Sequence, residues 1–182
     1  RHFIRTSKEQ YDIVIIDLAL GEIQPAHVFS LEGFEDLKKI IHSDALVIIN
    51  FQGNLDIDEY AMGPKSIFKT LQSVGFTVKY YYNYSEESND QLANDMFFLA
   101  SLQELDYESM FENVRYNEWF PYEHFTYQEL ISNRKLDLSN ALILIDDKPK
   151  LEILNASTIL EWRKNKQYQN INRLLDQNLP IY

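Results

Sequence analysis

The sequence predicts an α/β fold: a mainly parallel sheet whose last two strands run antiparallel, followed by an aromatic-rich, helical carboxyl-terminal extension. Three observations lead there. Four apolar runs carry the β-branched and aromatic residues of strands: residues 12–16, 45–51 (ALVIINF), 76–82 (FTVKYYY) and 96–102 (MFFLASL). Helical periodicity separates the first three of them, whereas a polar stretch without period, NYSEESNDQLAND, joins the last two.

The opening residues, RHFIRTSKEQ, read as a helix leading into the first strand. That strand, YDIVIID, is a near-continuous apolar run ending on Asp17, as expected of a strand buried in a parallel sheet. Ligands of open α/β sheets collect beyond the carboxyl ends of strands, so Asp17 is a candidate site residue. Its other reading is a helix cap or turn former. Pro25 and Phe29 then indicate a turn. Phe29, Gly33, Phe34, Leu37, Ile40 and Ile41 form one apolar stripe, with Glu32, Glu35, Asp36, Lys38 and Lys39 outside it.

After the second strand, Pro64 is expected at a first helical position. Ile67, Phe68, Leu71 and Val74 give that helix its buried face, and Gly75 ends it in a left-handed conformation. The β-α-β-α-β order favours parallel strands with right-handed crossovers. The third and fourth strands form an antiparallel hairpin, closing the sheet with an antiparallel edge strand.

Beyond Leu102 the character changes. Residues 104–125 hold many aromatics (Tyr107, Phe111, Tyr116, Trp119, Phe120, Tyr122, Phe125) without clear period, and Thr126 with Glu129 forms a capping box for a short helix. The run ALILI at 141–145 ends in Asp146, Asp147 and Pro149, and a final helix is expected over 156–176. The division is thus a sheet unit, 1–103, and an extension packed on it, 104–182.

Bulk properties narrow the functions. The chain has 182 residues, 45% of them hydrophobic, enough for one ordinary core. No apolar run reaches the roughly 18 residues of a membrane span, and no signal-peptide pattern appears. The absence of cysteine excludes disulfides, thiolate zinc sites and cysteine nucleophiles. A net charge of -11 repels a phosphate backbone, so nucleic acid is not an expected partner, whereas a cationic small molecule would be attracted. The expected compartment is the cytoplasm, either free or as the soluble part of a membrane-attached protein. His2, His27, His42 and His124 lack metal-ligand spacing. Ser30 and Ser43 lack nucleophile-elbow glycines. Tyr80, Tyr81 and Tyr82 read as strand residues.

In order, these elements resemble the second half of a spermidine synthase, the polyamine aminopropyltransferase branch of the class I S-adenosylmethionine-dependent methyltransferase fold. YDIVIID resembles the fourth strand of that Rossmann-like sheet with its catalytic Asp. Pro25-Ala26, Phe29 and Phe34-x-x-Leu37 resemble the following helix start, and ALVIINFQG resembles the fifth strand with its Gln52-Gly53 end. FTVKYYY resembles the sixth strand, NDMFFLAS the last, and IDDKPKLEIL a T-D-D-x-P-x-x-E segment found after the core in bacterial relatives.

The resemblance implies strands four to seven of a sheet ordered 3-2-1-4-5-7-6. It implies an aminopropyl group moved from decarboxylated S-adenosylmethionine to an amine, with Asp17 as base. Gln52 would line the pocket, and Tyr84 matches by position the family's amine-assisting tyrosine. Asp146 and Asp147 would supply an anionic site for a polyamine ammonium. For Gln52 the other reading is a loop amide, and for Asp146 and Asp147 a solvated turn. Two departures stand out: the family's D-x-x-D-P motif is here Asp17, Leu18, Ala19, Leu20, Gly21, and its P-T-Y-P segment is here Asn83, Tyr84, Ser85, Glu86. Loss of the second Asp opens a reading as an S-adenosylmethionine-dependent methyltransferase.

The family's glycine-rich loop and ribose-binding acid belong to the first half of the fold. No G-x-G-x-x-G occurs in the 182 residues, so no cofactor is expected to bind this chain alone. The chain is read as a fragment or processed form, with a non-catalytic dimerisation or interaction module as a third reading. Strand four would also lack its usual neighbour. The edge over 12–16 is therefore expected to pair with a second copy or with a missing amino-terminal half.

Overall fold

The computed structural model describes residues 1–18, 25–55, 57–82, 94–107, 109 and 135–176. A short helix α1 (His2–Thr6) precedes strand β1 (Tyr11–Ile16), helix α2 (Leu31–Lys38), strand β2 (Ile41–Gly53) and helix α3 (Asp58–Ser73). Strands β3 (Thr77–Tyr82) and β4 (Asn94–Ser101) follow, then helices α4 (Leu151–Leu154) and α5 (Ala156–Asp176). The final helix occupies the span its sequence predicts.

The strands form one sheet in the order β1-β2-β4-β3. β1 runs parallel to β2, and β4 runs antiparallel to both β2 and β3. Strand for strand this is the 4-5-7-6 order of the methyltransferase sheet, a partly parallel α/β arrangement. The expected hairpin forms, but β4 is not the edge strand. It inserts between β2 and β3, leaving β3 outermost. Burial explains the placement, since Met96, Phe98 and Ala100 are all fully buried and a strand this apolar gains most in the interior. β2 is also longer than its apolar run. Residues 41–44 join it through an irregularity that pairs Tyr11 with Ile41 but Ile13 with Leu46.

One face of the sheet carries the core. Val47, Ile49 and Phe51 of β2, with Phe98 of β4 and Tyr80 of β3, pack beneath α2 and α3 against Phe29, Phe34, Leu37, Ile67, Phe68 and Leu71. The rings of Phe29 and Phe51 meet edge to face at 6.0 Å, and those of Phe68 and Tyr80 at 6.2 Å, the geometry favoured by aromatic quadrupoles.

Ser30 caps α2, its hydroxyl accepting the Gly33 amide at 3.0 Å. α3 starts at Asp58 with two acids in its first turn, which suits the positive end of its dipole, and Pro64 consequently lies inside the helix rather than at its first position. Pro64 has no N–H for the Tyr60 carbonyl. That carbonyl accepts the Thr158 hydroxyl of α5 instead, at 3.4 Å. At the other end Gly75 adopts φ +94°, the left-handed stop its sequence predicts.

Residues 135–150 cross the outside of α2 and α3 with turns at 139–140 and 146–147, without joining the sheet. Ser66 and Thr70 of α3 accept the Leu142 and Leu144 amides at 3.1 and 2.9 Å, and Lys69 donates to the Leu138 and Ala141 carbonyls. The Leu31 amide donates to the Leu144 carbonyl at 2.7 Å. Leu144 and Leu151 join the core. The aromatic segment beyond Ser109 and the helix proposed at Thr126–Glu129 lie outside the described residues.

Candidate functional site

Asp17 is the first residue beyond β1. The last register pair, Ile16 with Ile49, is buried under the helices, so strand alternation turns the next step, Asp17 and Asn50, to the opposite face. Ile13 and Ile15 share that face and are 60% and 67% exposed. The Asn50 amide Nδ2 donates to Asp17 Oδ1 at 3.1 Å. A carboxylate only accepts, so this contact sets which way the amide points. Asn50 Oδ1 is then buried without a hydrogen-bond partner among the described residues. Asp17 itself is exposed.

Because β1, β2 and β3 are parallel, their carboxyl ends share one rim of the sheet. Gln52 lies on that rim, two residues from Asn50 and on the same face, half-buried. Its main-chain carbonyl accepts Asn155 Nδ2 at 3.2 Å, tying the rim to the junction of α4 and α5. Gly53 follows, with the ring of Pro64 seated where a side chain would begin. The arrangement can do three things chemically. The free oxygen of Asp17 can accept a proton, the carboxylate can attract a cation, and the amides beside it can orient a polar ligand.

Asp146 stands elsewhere, at the amino-terminal end of α2. It accepts the Ser30 hydroxyl at 2.5 Å and pairs with the Arg1 guanidinium, while its own amide donates to Glu32 Oε2 at 3.0 Å. Burial acts to raise its pKa, but the Ser30 hydrogen bond and the bonds and charge of Arg1 prevail and hold it below the ordinary value. Asp147 is exposed. The two adjacent carboxylates are thus unlike each other: one is neutralised by a residue of this chain, the other faces solvent. Arg1 also pairs with Asp36 at 3.1 Å and donates to the His27 carbonyl at 2.9 Å, so it ties the chain's first residue to α2 and to the extension. His27 is an exposed side chain beside this cluster. Tyr84 lies outside the described residues.

The structure therefore places Asp17 and Gln52 on one rim and Asp146 in a separate polar clasp. Sequence reasoning missed Asn50, although a signal existed: it is the one polar residue in the run ALVIINF. Nothing local pointed to Arg1.

No protein-family model matches the sequence. No curated protein matches it either. Solved structures similar to this chain include two at low identity. A probable spermidine synthase from Corynebacterium glutamicum ATCC 13032 shares 17% identity at a TM-score of 0.46, over 57% of this chain and 36% of that one. The MNMC2 protein from Aquifex aeolicus shares 17% identity at a TM-score of 0.38, over 90% of this chain and 42% of that one. The chain thus spans less than half the length of either. Among the described residues no helix is long and apolar enough to cross a membrane.

Proposed function

We propose that the protein is a spermidine-synthase-like transferase that moves an aminopropyl group from decarboxylated S-adenosylmethionine to an amine, with Asp17 as the base. The observation that carries this reading is the placement of Asp17. It is an exposed carboxylate just past the carboxyl end of β1, in a sheet with the 4-5-7-6 order.

A sulfonium is already a good leaving group, so catalysis of this transfer is mostly positioning and proton removal. The amine nitrogen forms its bond to the propyl carbon as the carbon–sulfur bond breaks and a neutral thioether leaves. The proton released from nitrogen goes to Asp17. Gln52, on the same rim and face, would orient the acceptor. The nucleoside of the donor needs a glycine-rich cradle that these residues do not contain, so this chain's share of the reading is the acceptor side. The outer edge of β1 is where the rest of such a sheet, or a second copy of the chain, would pair.

The test is an assay of the full-length protein with isotope-labelled putrescine and the decarboxylated donor. Labelled spermidine is expected, and Asp17→Asn is expected to lower kcat by about 10²- to 10⁴-fold without loss of fold. Absence of labelled product, or an unaffected Asp17→Asn variant, would overturn the reading. Methyl transfer is the competing reaction, supported by Leu20 standing where the aminopropyl motif has its second Asp. The same assay with methyl-labelled S-adenosylmethionine separates the two.

A further inference from the structure

We infer that Asn50 is a positioning residue for Asp17, holding one carboxylate oxygen so that the other faces the acceptor amine; this rests on the reading of Asp17 as the base. Three observations support it. Asn50 Nδ2 donates to Asp17 Oδ1 at 3.1 Å from the neighbouring strand, one step past the last register pair. Its Oδ1 is buried without a partner among the described residues, so the contact to Asp17 is the polar interaction that orients the amide. It is also the one polar side chain in an otherwise apolar run on a strand whose other face is core.

The chemistry follows from the bond. An exposed carboxylate on the first residue past a strand rotates freely unless something holds it, and a base must meet its proton in a narrow geometry. With Oδ1 engaged by Asn50, Oδ2 is the oxygen left to take the proton as the amine nitrogen bonds to the propyl carbon and the sulfonium carbon–sulfur bond breaks. Asn50 touches neither reactant in this scheme and acts through Asp17.

The experiment is steady-state kinetics of the full-length protein with decarboxylated S-adenosylmethionine and putrescine. Asn50→Leu is expected to lower kcat by about 10- to 100-fold. KM for the sulfonium donor should stay within about twofold, because ground-state binding is untouched. Asn50→Gln, which keeps an amide donor, should recover part of the loss. In an Asp17→Asn background, Asn50→Leu should have no further effect, the signature of a residue acting through its partner. Should Asn50→Leu fail to fold, Asn50→Ala removes the donor without adding a charge beside Asp17, and carries the same comparison. If Asp17→Asn lowers kcat while Asn50→Leu does not, or if the two losses multiply, this inference is overturned and the base assignment survives. If Asp17→Asn changes nothing, the base assignment itself falls.

Discussion

Thr158 of α5 donates its hydroxyl to the main-chain carbonyl of Tyr60, 3.4 Å away, and that carbonyl is the one Pro64 leaves without a helical donor. A helix-breaking residue in α3 and a buried hydroxyl in α5 thereby complete one another, and together with Asn155 they fasten the extension to the rim that carries Asp17. Thr158→Val keeps the shape but leaves the Tyr60 carbonyl unpaired. It should destabilise the protein by about 1–2 kcal/mol, a fall in Tm of roughly 2–8 °C by calorimetry. An unchanged Tm would show that the contact contributes nothing.

Two glycines give opposite tests of a single added methyl. A Cβ on Gly53 would overlap the ring of Pro64 and also approach Met96 Sδ at 3.3 Å, so Gly53→Ala should cost about 1–3 kcal/mol through overpacking. A Cβ on Gly75 meets nothing within 4 Å, but the residue sits at φ +94°. Gly75→Ala should therefore cost about 1–2 kcal/mol from backbone strain alone. Filling space near Gly53 is remediable by Pro64→Ala in the same chain, whereas no neighbouring substitution rescues position 75. Urea denaturation of the single and double variants reads both.

Stability should fall in acid through the Arg1 clasp. Asp36 is held below its ordinary pKa by Lys39 first, against burial, and then by Arg1; Asp146 is held below against burial by Ser30 and Arg1. A carboxyl depressed in the folded state contributes stability that is complete above its unfolded pKa. That contribution is lost as pH falls through about 4 and below. Arg1→Gln should flatten the slope of unfolding free energy between about pH 5 and pH 2.5. An unchanged slope would show that the clasp is not what the acid limb reports.

The edge of β1 should control self-association. Ile13 and Ile15 are 60% and 67% exposed on a strand paired along one side only among the described residues. We propose that a second copy covers this edge when the 182-residue chain is alone, and that Ile15→Lys prevents it. Sedimentation velocity at micromolar concentration should show a dimer for the natural sequence and a monomer for the variant, at similar Tm. Identical sedimentation of the two would remove the edge as an interface.

The legible part of this protein was local. Alternation and apolar runs located the four strands of the described residues, the Gly75 stop and the 156–176 helix were readable from a few neighbouring residues, and Asp17 was marked by standing at the end of YDIVIID. What local signals misplaced was governed by partners distant in the chain. Pro64 reads as a helix start until Thr158, 94 positions on, supplies the missing donor.

Where the strands and most helices lie, and which acid ends the first strand, could be read along the chain, because burial period and turn chemistry act between neighbours. Only in three dimensions does Asn50 come to face Asp17, and Asp146 come to belong to Arg1 and Ser30. The first depends on which strands become adjacent and in what register, which is settled only when the whole hydrophobic face is buried at once, and the second on where residues 135–150 cross α2.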